Sequence, residues 1–323
     1  MNPLWLELLR ANWQELARHT AQTRAYRTRR LSDQLQLNVH AAIRAADNAP
    51  CVIIEGVAPI EAHFEVGGMR LGVVRDERGP LLVLSLEDPD QADLFTTVCT
   101  DAISATEGSG QALPVFLDRL DAWRRFLRER SSGLSRQETV GLIGELLVLV
   151  ELLSLDRSAA DFWEAPNDGL HDFSREGHAL EVKASLGPSS QVRISTLDQL
   201  DTVDLRRLDL LHVRLIESPY GTTLGNIVSE IMAQLEEASR RTFENALLRR
   251  GLMPDDIAAR SSPRVELRAI EAYQVGEDFP RLNRANVPQA VNEAQYDLEV
   301  RALSNFLKPT PSVLARYQSG TAA

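Results

Sequence analysis

Residues 171–185 read HDFSREGHALEVKAS, and this stretch decides how the chain is folded. Its second half, Ala179 to Ala184, has the alternation of a short strand. Strand side chains alternate between faces, so Leu180 and Val182 point one way and Glu181 and Lys183 the other. The apolar pair suits a core, and the charged pair sits side by side on the opposite face. Asp172 lies nine residues before Glu181, and Ser174 to His178 read as a turn between two short strands. Pairing those strands as a hairpin brings Asp172 and Glu181 toward each other. Converging carboxylates repel unless a cation joins them, and hard oxygen ligands suit Mg²⁺ or Mn²⁺.

Upstream, GLIGELLVLVELL at 141–153 belongs to a helix expected from about Ser135 to Leu153. The neighbours of Glu145 three and four residues away are Leu142, Gly141, Val148 and Leu149, so its carboxylate is not on an ordinary solvated stripe. It either snorkels outward or enters a polar pocket, where it adds a further oxygen ligand directly or through water. Gly141 and Gly144 let this helix approach a sheet closely. The bases carry a second signal. Of 35 Lys and Arg residues only Lys183 and Lys308 are lysine, so a lysine in an ordered segment asks for a reason specific to lysine. Beside paired carboxylates, an ammonium can stabilise charge at phosphorus. With its pKa lowered by burial and a nearby metal it can also accept a proton, which arginine cannot.

The order of a helix-borne Glu, an Asp and then Glu-x-Lys resembles the PD-(D/E)xK nuclease superfamily. More narrowly, GLIGELLVLVELL, Trp163 to Pro166, His171-Asp172-Phe173, ALEVKAS and RISTLDQL are similar to a bacterial family described only by its PD-(D/E)xK motif. The resemblance covers roughly 134–216. It implies an α+β or α/β class with a restriction-endonuclease-like mixed β-sheet core flanked by helices. It also implies Mg²⁺-dependent hydrolysis of DNA phosphodiesters, giving 3′-hydroxyl and 5′-phosphate ends. On that resemblance Asp172, Glu181 and the accessory acid Glu145 hold the metal, and Lys183 assists the attacking water. Members of the narrower family occur among restriction and phage-defence genes. The implied partners are therefore DNA and either other defence proteins, such as a methyltransferase or an ATPase, or a second copy of the chain. His171 stands where the motif has Pro, and it either contacts a phosphate or is hydrogen-bonded in the turn. Gln199, expected on the next helix, matches a Gln that similar nucleases place near their lysine, or serves as a cap or a surface residue. Arg193 and Ser195 share a strand face as phosphate contacts or surface residues, and Ser185 shares the face of Glu181 and Lys183.

The rest of the chain reads as a partner to this region. The expected division is an N-terminal α+β domain at 1–110, a helical connector at 111–133, the nuclease-like domain at 134–305 and a poorly ordered tail at 306–323. A helix is expected over residues 1 to about 31, ending in Arg18, Arg24, Arg27, Arg29 and Arg30, followed by short strands to about 86 and a helix over 90–107. Within the second part, Ser195 with Asp198 has the form of a capping box opening a helix.

Composition narrows the classes. Of the 323 residues 44% are hydrophobic and 25% charged, which excludes wholesale disorder. A net charge of −11 argues against coating nucleic acid without specificity. The run Leu146 to Leu155 is too short to span a bilayer and is broken by Glu151 and Ser154, so no membrane role is expected. Two cysteines make neither a disulfide framework nor a cysteine zinc site, which suits a reducing cytoplasm. No P-loop, H-E-x-x-H or G-x-S-x-G motif occurs, so any ATP use would come from a partner. A different reading of the same residues is a nuclease-fold scaffolding or DNA-binding subunit with little cleavage of its own. The arginines of 119–136 separate the two: grouped beside the carboxylates they favour cleavage, and paired with surface acids they favour the scaffold.

Overall fold

The computed structural model describes residues 2–19, 25–56, 62–76, 79–129, 134–167, 169–188, 190–253, 257 and 262–318. It divides into two units, Met1–Ser132 with Leu248–Pro254, and Gly133–Leu247 with Asp255–Ala323.

In the first unit, β1 (Tyr26–Arg30), β2 (Val39–Arg44), β3 (Pro50–Glu55), β4 (Phe64–Val66), β5 (Met69–Asp76) and β6 (Gly79–Leu86) form one antiparallel sheet in the order β1-β2-β3-β6-β5-β4. The helices α1 (Pro3–Arg18), α2 (Ala92–Ala105) and α3 (Ala112–Glu129) bury Leu9, Trp13, Phe95, Phe116 and Trp123 against Val39, Ala41, Val52, Ile54 and Leu84 of the sheet. Alternation along the strands supplies that face, and burying it is the main stabilising term. Two cysteines, Cys51 and Cys99, are free and buried here.

The second unit is built on α4 (Arg136–Leu155). Its start follows from a capping box: Ser135 Oγ accepts from Glu138 N at 3.2 Å, and Glu138 Oε2 accepts from Ser135 N at 2.8 Å. α4 is buried around most of its circumference and packs on β8 (His178–Leu186). The mixed sheet has the order β13-β11-β10-β8-β7. Its members are β7 (Phe173–Arg175), β8, β10 (Arg207–Thr222), β11 (Val265–Val275) and β13 (Leu307–Lys308), and β8 and β10 run parallel. A separate ribbon pairs β9 (Gln191–Ile194) with β12 (Tyr296–Glu299), and α5 (Leu224–Gln234) packs on α4. This is the mixed-sheet α+β class expected. β7 and β8 pair antiparallel through Glu176 and Gly177, both at positive φ (51° and 82°), the two-residue turn that matches strand twist.

Several expectations need correction. The N-terminal helix ends at Arg18, and Arg27, Arg29 and Arg30 lie on β1, because pairing with β2 overrides a helical pattern that was only basic there. Arg24 lies outside the described residues. The segment read as a connector, α3, contributes Phe116, Leu120 and Trp123 to the core of the first unit. No helix opens at Ser195: residues 195–200 are turns, held by Ser195 N donating to Gln199 Oε1 at 2.7 Å. Nor is 306–318 a loose tail. Leu307 pairs with Tyr273, and Val313, Leu314 and Tyr317 are buried, because the prolines there start a short helix (Thr310–Leu314) rather than interrupt one.

Candidate active site

The hairpin β7–β8 and helix α4 position Asp172, Glu181, Lys183 and Glu145. Phe173 pairs with Leu180, so one step further along the antiparallel ladder Asp172 lies beside Glu181. Asp172 is fixed by its own side chain, since Oδ2 accepts from the backbone N of Val182 at 2.7 Å. Leu180 is fully buried, as expected for the apolar face. On that face Ala184 meets α4 at Gly144, where an added Cβ would lie 2.6 Å from the Ala184 Cβ. Gly144 is therefore the residue that lets α4 approach the strand. Gly141, expected to do the same, faces open space.

On the other face Glu181 is 2% exposed and accepts from Lys183 Nζ at 2.6 Å through Oε1. Burial, and then the nearby negative charge of Asp172, push the Glu181 carboxyl up to about 8, with Glu145 adding to the effect and Lys183 opposing it. Burial disfavours the charged Lys183 ammonium, yet Glu181 and Asp172 outweigh it and raise the lysine pKa. Without a cation beside it, the carboxylates are the nearest charges to Lys183 and hold its pKa up. Glu145 is buried, and its Oε2 accepts from the indole Nε1 of Trp163 at 3.0 Å. It neither snorkels outward nor stays on an apolar stripe. Trp163 is the residue that sequence reasoning gave no role. Its indole N–H is invisible to periodicity, and only the isolated bridge between Trp163 and Phe173 brings it here.

The donor set is all oxygen and short of positive charge, so a hard divalent cation fits it chemically. Among the described residues, no three His, Cys, Asp or Glu side chains converge as a group that could hold a metal ion. A cation would therefore rest on Asp172 and Glu181, with Glu145 adding charge from the helix side.

The outlying candidates separate from this cluster. Arg193 pairs with Asp297 at 3.0 Å on the exposed ribbon, Ser195 is exposed in the turn, and Gln199 is spent on that turn. His171 is buried and hydrogen-bonded to the backbone of Gln199, and burial lowers its pKa, so it acts as a side chain held in the turn. Ser185 shares the face of Lys183, is buried, and lies 2.8 Å from His212 Nε2. Among the described residues, no helix is long and apolar enough to cross a membrane.

A sequence profile described as "Putative PD-(D/E)XK family member, (DUF4420)" matches residues 9–301. No curated protein and no solved structure matches the chain. The match spans most of the 323 residues and takes in Glu145, Asp172, Glu181 and Lys183. The chain belongs to this PD-(D/E)XK family, whose nuclease-like fold its second unit displays.

Proposed function

We propose that the protein is a divalent-metal-dependent endonuclease that hydrolyses DNA phosphodiester bonds in bacterial restriction or phage defence. The observation that carries this reading is the pair of buried Glu181 and partly buried Lys183, with Asp172 clamped across the hairpin beside it. Three carboxylates around one lysine are costly to bury for structure alone, and strongly shifted groups of this kind mark sites of chemistry. Asp172 and Glu181 would hold Mg²⁺ or Mn²⁺. Such an ion supplies Lewis-acid activation of water and neutralises charge on the phosphate. Lys183 Nζ, which donates to Glu181 Oε1 here, would stabilise the negative charge growing on the phosphoryl oxygens during in-line attack by water. Glu145, oriented by Trp163, keeps the site negative enough to retain a cation.

The test is nicking of supercoiled plasmid with Mg²⁺ or Mn²⁺ by the wild type, Asp172→Ala and Lys183→Ala. Cleavage lost in both variants and in EDTA is the expected result. Cleavage surviving both substitutions would refute the site.

A second reading, a nuclease-fold DNA-binding or scaffolding subunit of a defence complex, is favoured by where the arginines go. Arg119 pairs with Asp101, Arg124 and Arg125 with Asp121, and Arg136 with Glu217. These cations are spent on acids of the chain, which lowers its affinity for DNA without a partner. Inactive wild-type protein that regains cleavage with a cognate partner would join the two readings.

A further inference from the structure

The sheet face that carries Glu181 and Lys183 continues onto two more strands. Lys183 of β8 pairs with His212 of β10, and His212 pairs with Glu271 of β11. Paired residues on neighbouring strands point to the same face, and strands lie about 4.8 Å apart. Two steps across the sheet from Lys183, about 10 Å at that spacing, a pocket of about 210 Å³ opens, lined by His212, Arg214, Glu271, Tyr273, Arg301 and Ser304 among others.

Its chemistry is that of an anion site. Glu271 is engaged on both oxygens, accepting from Arg214 Nη1 at 3.0 Å and from the Tyr273 hydroxyl at 3.0 Å. Arg301 is exposed and forms no ion pair among the described residues, so the two arginines outnumber the one carboxylate. His212 is 1% exposed, and its Nδ1 has no hydrogen-bond partner among the described residues; the Glu271 carboxylate stands 3.5 Å away. The tautomer that accepts from Ser185 Oγ at Nε2 carries its proton on Nδ1. That proton faces the Glu271 carboxylate, so His212 holds Glu271 in place and the arginines are left to meet a ligand. Ser185, His212 and Glu271 also have the order of a nucleophilic triad. Ser185 does not line the pocket, however, so its hydroxyl has no substrate to attack there.

We propose that this pocket binds a phosphate ester of the nucleic-acid substrate, close in the strand to the bond cleaved beside Lys183, with Arg301 and Arg214 as its charged contacts. This rests on the nuclease reading for the source of the phosphate. The apolar walls, Val300 and Leu307, suit the sugar attached to it.

The experiment uses the full chain in EDTA, so that binding is read without cleavage. Inorganic phosphate is compared with chloride at equal ionic strength by thermal melting, and a fluorescent oligonucleotide is titrated by anisotropy. The proteins are the wild type, the double variant Arg214→Gln/Arg301→Ala, and Arg284→Ala as a control arginine outside the pocket. Phosphate should raise the melting temperature of the wild type and the control but not of the double variant. The oligonucleotide Kd of the double variant should rise on the order of 10-fold, with the salt dependence falling by about two counterions. Equal phosphate shifts in all three proteins, or none in any, would overturn the pocket. A phosphate shift confined to wild type and control, with unchanged oligonucleotide binding, would overturn its assignment to the substrate and leave a free phosphate compound as ligand. Loss of plasmid nicking plays no part in these readouts, so failure of the nuclease reading is scored separately.

Discussion

Two ion pairs, one in each unit and each with a buried carboxylate, show how the same chemistry serves different ends. In the first unit Arg119 of α3 donates to Asp101 of α2 through Nε (2.6 Å) and Nη2 (3.1 Å), and Trp123 Nε1 adds a third bond to the same carboxylate at 2.7 Å. That carboxylate is answered by a planar fork and an indole, so the pair ties two helices together. In the second unit Lys183 makes one bond to Glu181, while burial first, and then the negative charges of Asp172 and Glu145, hold Glu181 up to about 8. The satisfied pair uses arginine and the crowded one uses one of the chain's two lysines. A satisfied buried pair holds structure, whereas an unbalanced one stores the means to bind a cation and handle charge.

The sharpest way to break this contrast is Lys183→Ala. Nicking should fall on the order of 10²- to 10³-fold, as for loss of one electrostatic stabiliser. Folding should change little, because Glu181 takes a proton instead of remaining an unpaired charge. Comparable unfolding of this variant, read by urea titration, would remove the distinction between the pairs. Arg119→Ala should do the reverse. It should cost about 3–5 kcal/mol in urea unfolding by leaving Asp101 buried without its partner, and the purified folded fraction should still nick plasmid.

Titration sharpens the same point. The folded pKa of Glu181 is raised from its ordinary 4.5 to about 8. The folded state therefore binds more protons between those values, and the stability that the protonated group contributes below about 4.5 is lost as pH rises through about 8. Metal-free wild type should lose stability across that window, and Glu181→Gln should remove this component. Mg²⁺ should stabilise the wild type more at pH 8 than at pH 6. A flat difference between the two proteins from pH 5 to 8 would contradict the crowding.

Smaller effects test the scaffold of the site. Gly144→Ala forces a Cβ to within 2.6 Å of Ala184 and should cost about 1–3 kcal/mol by overpacking, with reduced nicking as α4 carries Glu145 away. Gly141→Ala meets nothing within 4 Å and should gain about 0.5–1 kcal/mol from helix propensity. Last, Arg136→Ala, which breaks an exposed pair with Glu217, should leave the melting temperature unchanged.

Much of the site was legible locally. Alternation in ALEVKA separates Leu180 from Glu181, and the turn Glu176-Gly177 brings Asp172 back along β8. The capping residues Ser135 and Glu138 start α4, so Glu145 falls inside a helix whose surroundings are apolar. Each of these depends on neighbours a few residues apart, and short-range periodicity records them. The failures lie where distant partners decide. The basic stretch at Arg27 to Arg30 becomes a strand because β2 is there to pair with it. The C-terminal residues are ordered by Tyr273 and by burial of Tyr317; the Ser195 turn is a local exception, closing on Gln199 four residues on rather than opening a helix.

What the amino-acid order determined by itself is therefore the set of chemical groups and their local frames: one hairpin, one buried-faced helix, and a lysine where nearly every other base is arginine. Only the tertiary structure decided their electrostatics. Trp163 reaches Glu145 across 18 residues, Asp172 takes the Val182 amide, and the parallel pairing of β8 with β10 sets His212 beside Lys183. Coulomb and desolvation energies depend on distances and burial that arise when strands far apart in sequence meet, and no local pattern encodes them.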